Sequence, residues 1–293
     1  MSEDPHGSRD GAPTRLGLVA GGGTFPITVA RAARARGTQV ICIGLRGEVH
    51  PGLEAEVDAF KWLGLGRAGA AFRFFRRHGV RCVSWAGRIR KERLFTPLGI
   101  FAHFPDWRCI RFWYGILRRR DRQSQTLLAA VADEFEKEGF TVGHSAHFCP
   151  EILVEEGVLT KRRPSRQQLA DIAFGWRVAK RMADLDVGQS VAVSERATVA
   201  VEGMEGTDRN ILRAGELCKR GFVVVKVAKD GHDMRFDVPA VGPRTIGTMK
   251  AAGGKVLALE AGKTIILERE EVIRQANRHG IVVAAFSAPP PVD

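Results

Sequence analysis

Two hydrophobic periods alternate along the first half of the chain. Leu16–Ala20 is a short apolar run ending in Gly21-Gly22-Gly23. An Ala/Arg-rich helix is predicted from Pro26 to about Arg36, where Gly37 stops it. Gln39–Leu45 reads as a second strand and Ala59–Trp62 as a third. Arg67–His78 reads as a helix ended by Gly79, and Val80–Trp85 as another strand. Gln123–Lys137 carries apolar residues at 127, 128, 131, 132 and 135, the helical period, and stops at Gly139. Strands alternating with helices predict a parallel sheet with helices on both faces, a Rossmann-like arrangement.

Gly143–Pro164 has no sustained period, and the junction is placed there: an N-terminal Rossmann-like domain over 14–144, and a mixed α/β C-terminal domain over 145–287. In the second half Arg166–Met182 is a predicted helix. Ser190–Val193 and Thr198–Val201 form a hairpin pair, and Thr207–Leu217 is a helix with Thr207 as its cap. Gly221–Val227 is strongly β-branched; Pro243–Ala252 is helical; Val256–Leu259 and Thr264–Leu267 are strands. Glu268–Arg278 is a helix and Ile281–Phe286 a last strand. The fold class is therefore α/β in two domains.

Composition narrows the function classes. The longest apolar runs, such as Phe222–Val225 and Ile281–Phe286, are too short to span a bilayer, and the polar residues 1–13 lack the core of a signal peptide. Five scattered cysteines without a Cys-x-x-Cys pair fit a reduced cytoplasmic protein with no zinc site. The net charge is +12, and 14 basic against 3 acidic residues fall within Arg73–Arg122. Such a field attracts an anion: a phosphorylated substrate, an anionic membrane surface or nucleic acid. The Arg/aromatic stretch 73–122 supports a second function class, an RNA- or single-strand-binding protein.

The turn Gly21-Gly22-Gly23-Thr24, before Pro26, follows a strand and opens a helix, so its N–H groups can face a phosphate. It is neither a dinucleotide fingerprint nor a Walker A loop. Pro26 stands where the last small Gly should be, Arg46 follows the second strand in place of an acid, and no Gly-Lys-Ser/Thr occurs here. A nicotinamide-dependent oxidoreductase is disfavoured accordingly. Gly87 and Arg88, after another first-half strand, would lie on the same rim as the glycine turn. Serine hydrolase chemistry lacks its Gly-x-Ser-x-Gly elbow. Acids cluster in the second half, at Asp184-Leu-Asp186, Glu202–Asp208, Asp230–Asp237 and Glu260; carboxylates from several strand ends can converge on Mg²⁺ or Mn²⁺.

Five segments occur in one order: 16–26 around the glycine turn, Ala86-Gly87-Arg88, Asp186-Val187-Gly188-Gln189, Glu205-Gly206-Thr207-Asp208, and Arg235-Phe236-Asp237-Val238-Pro239 with Gly242. In this the chain resembles the UDP-2,3-diacylglucosamine pyrophosphatases of the LpxI type, over about residues 15–287. The resemblance implies Mg²⁺-dependent hydrolysis to 2,3-diacylglucosamine 1-phosphate and UMP in lipid A biosynthesis, with the lipid held between two domains. It implies that Asp237 is the essential aspartate, with Asp233 and Glu205 as further metal candidates. Gly21, Gly22, Gly23, Thr24, Gly87, Arg88, Gln189, Thr207, Asp208, Lys226, Arg235 and Pro239 are the candidate substrate contacts. Where the family shows Gly-Asp-Asp before the interdomain helix, this chain has Gln123-Ser124-Gln125. The expected partners are the lipid nucleotide, the anionic inner membrane surface as a peripheral contact, and a second copy of the chain.

Overall fold

The computed structural model describes residues 13–64, 66–87, 124–145, 148–230 and 238–291. It divides the chain into two compact units, Met1–Pro150 and Glu151–Asp293. In the first unit β1 (Arg15–Ala20) leads through α1 (Phe25–Ala35) to β2 (Gln39–Leu45) and on to β3 (Ala59–Leu63). Next come α2 (Ala68–Arg77), β4 (Cys82–Ala86), α3 (Ser124–Lys137) and β5 (Thr141–Val142). All neighbouring strands pair in parallel, in the order β3-β2-β1-β4-β5. The chain works outward from β1 in one direction, then restarts on its other side at β4. Right-handed crossovers therefore set α1 on one face and the later helices on the other. The second of these faces is aromatic: Phe72 and Phe75 of α2 pack against Phe135 of α3 and against Phe140. This is the parallel sheet with flanking helices that the alternation predicts. The two-residue strand β5 is too short to register as a period.

The second unit comprises β6 (Gly157–Val158), α4 (Arg166–Asp184), β7 (Ser190–Ser194), β8 (Ala197–Val201), α5 (Thr207–Leu217) and β9 (Val223–Lys226). There follow β10 (Ala240–Val241), α6 (Pro243–Ala252), β11 (Val256–Glu260), β12 (Ile265–Ile266), α7 (Arg269–His279) and β13 (Val282–Phe286). Its main sheet has the order β6-β13-β11-β9-β7-β8, with β9, β11 and β13 parallel and β7 antiparallel to both β8 and β9. The strands read as nearly continuous apolar runs because both faces are covered. Val223, Val225, Val256 and Ala258 point at α4, through Ile172, Trp176 and Ala179. Their neighbours Val224, Leu257 and Leu259 point at α5, α6 and α7, through Ile211, Met249 and Val272.

Local chemistry fixes the ends of these elements. Helix α4 opens on a capping box: Gln168 N donates to Ser165 Oγ (3.2 Å), and Ser165 N donates to the Gln168 side chain (2.9 Å). The β7–β8 turn puts Glu195 and Arg196 at φ of 53° and 58°, a left-handed pair normally given to Asn and Gly. The buried carboxylate of Asp171 on α4 accepts both turn N–H groups, from Glu195 at 3.3 Å and from Arg196 at 2.7 Å. Gly175 lets α4 lie close on the sheet, since a Cβ there would stand 2.8 Å from Val225 Cγ2 and 3.0 Å from Val193 Cγ2. Gly175→Val should therefore destabilise this unit by about 1–3 kcal/mol through overpacking. The measurement is urea unfolding, with the midpoint lowered and the slope unchanged.

Candidate functional site

In an open parallel sheet, ligands bind outside the carboxyl ends of the strands, where the strand order reverses. In the first unit that point lies between β1 and β4. The glycine turn leaves β1 there: Gly21 N donates to Ala86 O at 2.8 Å, and Gly23 has φ 94°. Gly87 follows β4 with φ 92°, and a Cβ on it would lie 2.8 Å from Gly21 C and from Gly22 O. Two backbone segments thus touch with no side chain between them. Thr24 precedes α1, Pro26 lies in its first turn, and no side-chain cap bond closes the helix start. The structure brings Gly21, Gly22, Gly23, Thr24 and Gly87 together on one rim; Arg88 lies outside the described residues.

In the second unit the corresponding rim carries two polar clusters. Lys226 ends β9 and faces α5, with 7% of its surface exposed. Its Nζ donates to Thr207 Oγ1 at 2.8 Å, and Thr207 Oγ1 lies 3.1 Å from each carboxylate oxygen of Glu202. Thr207 is the single polar partner of the Lys226 ammonium among the described residues. Behind it, Asn210 of α5 donates to Ser190 Oγ at 3.2 Å, and Ser190 pairs in register with Lys226. Gln189 joins through its main chain, accepting from Val227 N at 3.0 Å.

Here the capping role expected of Thr207 is corrected. The cap position is Gly206, at φ 82°, and it makes no side-chain cap bond. Thr207 lies inside the helix, and its hydroxyl is committed to Glu202 and Lys226 instead. A residue type favoured at caps for its hydroxyl was read as a cap although a glycine stood next to it.

The second cluster faces α4. The buried Glu260, at the end of β11, accepts from Lys180 Nζ (2.8 Å), from Lys263 Nζ (2.9 Å) and from Ala228 N (2.8 Å). Lys180 donates also to Ala228 O (3.0 Å) and to Asp230 (2.7 Å), and Asp230 N reaches Asp184 at 3.3 Å. The chain leaving β9 is thus gripped at both the N–H and the carbonyl of one residue, Ala228. Burial pulls the Lys180 ammonium down, but its hydrogen bonds to Asp230 and Glu260 outweigh this and hold it above the usual lysine value. The Lys180 hydrogen bond likewise holds the Asp230 carboxyl below the usual carboxylate value, against a smaller burial effect.

The remaining acids are engaged elsewhere. Glu205 pairs with Arg213 (2.9 Å) and accepts from Gly203 N (3.1 Å), and Asp208 pairs with Arg244 (2.8 Å). As a metal ligand Glu205 would first have to leave Arg213. Pro239 holds β12 through its carbonyl, which accepts from Ile265 N at 2.8 Å. Asp233, Arg235 and Asp237 lie outside the described residues. Among the described residues no three His, Cys, Asp or Glu side chains converge as a metal site. Cys42 and Cys218 are free thiols. No helix among the described residues is long and apolar enough to cross a membrane.

Three participants were not singled out from the sequence. Lys180 stands four residues after the buried Trp176, a cation on the packed stripe of α4, and that spacing is the signal that marks it. Asn210 follows one turn inside α5. Glu202 stands in the sequence only as the first member of the acidic run Glu202–Asp208, in which Glu205 is the metal candidate.

Two family models together span most of the chain. A family model described as the LpxI N-terminal domain matches residues 15–152, and one described as the LpxI C-terminal domain matches residues 155–284. The UDP-2,3-diacylglucosamine pyrophosphatase LpxI of Caulobacter vibrioides is 32% identical over 277 residues, covering 92% of this chain and 96% of that protein. The bifunctional purine biosynthesis protein PurH of Roseobacter denitrificans is 28% identical over 139 residues, covering 43% of this chain but 24% of that protein.

Two outcomes follow from this geometry. Gly87→Ala forces a side chain onto a left-handed backbone and against the glycine turn, and should destabilise the first unit by about 2 kcal/mol, read by thermal unfolding. Asp230 has a lowered folded pKa, so its contribution is full above the unfolded carboxylate value and is lost as pH falls through the folded one. In acid titration of stability, wild type should therefore lose its advantage over Asp230→Asn across that window.

Proposed function

The chain belongs to the LpxI family, and on that premise we propose that it hydrolyses the diphosphate of UDP-2,3-diacylglucosamine. The products are 2,3-diacylglucosamine 1-phosphate and UMP, in lipid A biosynthesis. One observation at the rim supports this most directly: a buried ammonium, Lys226, has, among the described residues, a single neutral partner at the uncapped start of α5. A buried cation of this kind is matched by a phosphate oxygen, which accepts from the N–H groups that Thr207 leaves open.

The roles follow from the chemistry of a charged anhydride. Water attacks phosphorus, negative charge grows on the phosphoryl oxygens, and fixed donors that meet it lower the barrier. Lys226 and Arg235 bind those oxygens, with Gln189, Thr207, Asp208 and Pro239 as further substrate contacts. Asp237 orients the water or holds the metal. Mg²⁺, or Mn²⁺, bound by Asp237 with Asp233 or Glu205, would supply charge neutralisation. The turn at Gly21, Gly22, Gly23 and Thr24, with Gly87 and Arg88, receives the uridine diphosphate or the sugar phosphate. The enzyme works in the cytoplasm at the anionic inner membrane surface, to which the basic excess is suited.

The alternative, an RNA- or single-strand-binding protein, rests on the stretch 73–122, of which 88–122 lie outside the described residues; in its described part Phe75 is buried and Arg76 is paired with Glu138 at 2.5 Å.

Incubation with UDP-2,3-diacylglucosamine should release UMP in the presence of Mg²⁺ and not in its absence. Asp237→Ala should abolish release with the thermal midpoint retained, and Lys226→Met should lower kcat/KM by about 10²-fold or more. A fully active Asp237→Ala protein would overturn that assignment.

A further inference from the structure

Glu202 has no place in the scheme above, yet it closes the cluster around Lys226. It follows β8 directly, and its N–H donates to Ser190 O at 2.9 Å, which fixes its backbone to β7. Both of its carboxylate oxygens lie 3.1 Å from Thr207 Oγ1. A hydroxyl has one proton, and here the carboxylate takes it, because a carboxylate can only accept. The lone pairs of Thr207 are thereby left for Lys226, whose Nζ stands 2.8 Å away. The order of donation is set along the whole line: Lys226 to Thr207, Thr207 to Glu202.

An ammonium has three N–H groups. One is aimed at Thr207, and the tetrahedral geometry then fixes where the other two point. Glu202 lies beyond direct ion-pair distance of Lys226, so its influence passes through the hydroxyl. It is also committed differently from its acidic neighbours, since Glu205 and Asp208 pair with Arg213 and Arg244.

We propose that Glu202 is a positioning residue: by holding the Thr207 proton, it fixes the direction in which the Lys226 ammonium presents its remaining N–H groups to a phosphate. This rests on the reading of the rim as a phosphate site. An amide at 202 keeps one acceptor oxygen but loses the charge and sets an NH₂ donor where the second carboxylate oxygen stood, so the Thr207 proton is no longer held by acceptors on both sides.

The test is calorimetric binding of inorganic phosphate to the full chain. The proteins compared are wild type, Glu202→Gln, Thr207→Val, Thr207→Ser and the Glu202→Gln/Thr207→Val double variant, with thermal unfolding of each. Glu202→Gln and Thr207→Val should each weaken phosphate binding about tenfold. The double variant should lose about the same tenfold, since the two act as one unit. Thr207→Ser should restore binding to within about twofold. Unchanged affinity in Glu202→Gln, multiplying losses, or a wild type that binds no phosphate would each overturn the inference. Should Glu202→Gln fail to fold, the Val and Ser variants at 207 still decide whether the hydroxyl carries the effect. A wild type that shows this binding pattern but releases no UMP defeats the proposed hydrolysis and leaves the role of Glu202 standing.

Discussion

A cation packed in among apolar elements costs free energy unless something nearby accepts from it. The second unit solves that problem twice, at Lys226 and at Lys180, in different ways. Lys180 is neutralised outright, between Glu260 and Asp230, and gives its remaining donor to a main-chain carbonyl. Among the described residues Lys226 is met by a neutral hydroxyl alone. In the first arrangement all three ammonium donors are engaged, while in the second no described carboxylate touches the ammonium directly and Glu202 is reached only through Thr207. That difference directs the search for a substrate anion to one of the two.

The two units reach a phosphate-compatible rim by separate routes. In the first, Gly87 packs against the backbone of the turn after β1 and beside Pro26, leaving no room for a side chain at 87, so main chain dominates the described part of the switch point. In the second, side chains dominate, delivered by a strand end, a hairpin and a helix start. Parallel strands account for both, because their carboxyl ends share an edge and bring residues far apart in sequence into one neighbourhood.

Much of the architecture was legible in the sequence. Gln39–Leu45 and Pro243–Ala252 were bounded correctly because glycines and prolines punctuate strong periods at both ends. The pairs β5 and β6, of two residues each, have no period to read. The candidate site was legible only as a set of separated motifs. Gly87 meeting the turn at Gly21 follows from the parallel sheet, and the structure brings them together. Lys180 with Glu260, and Glu202 with Thr207, depend on which face of a sheet a strand end presents. That is decided by register, and a list of acids does not contain it. The cap at Thr207 was misread for a related reason: an N-terminal hydroxyl was explained by its nearest helix when its true partners lie on two strands.

Side chains on a strand alternate between faces, and this has a consequence for how the protein can change over time. Lys226 follows Val225 and so turns toward α5, whereas Glu260 follows Leu259 and turns toward α4. Insertion or loss of one residue within β9 would send the ammonium into the apolar layer under α4. The same event in β11 would drive the carboxylate among α6 and α7. Point substitutions can accumulate in these strands while their lengths stay fixed, and descendants of this gene should vary in the connecting loops and hold constant the count of residues between each strand's first valine and its terminal charge.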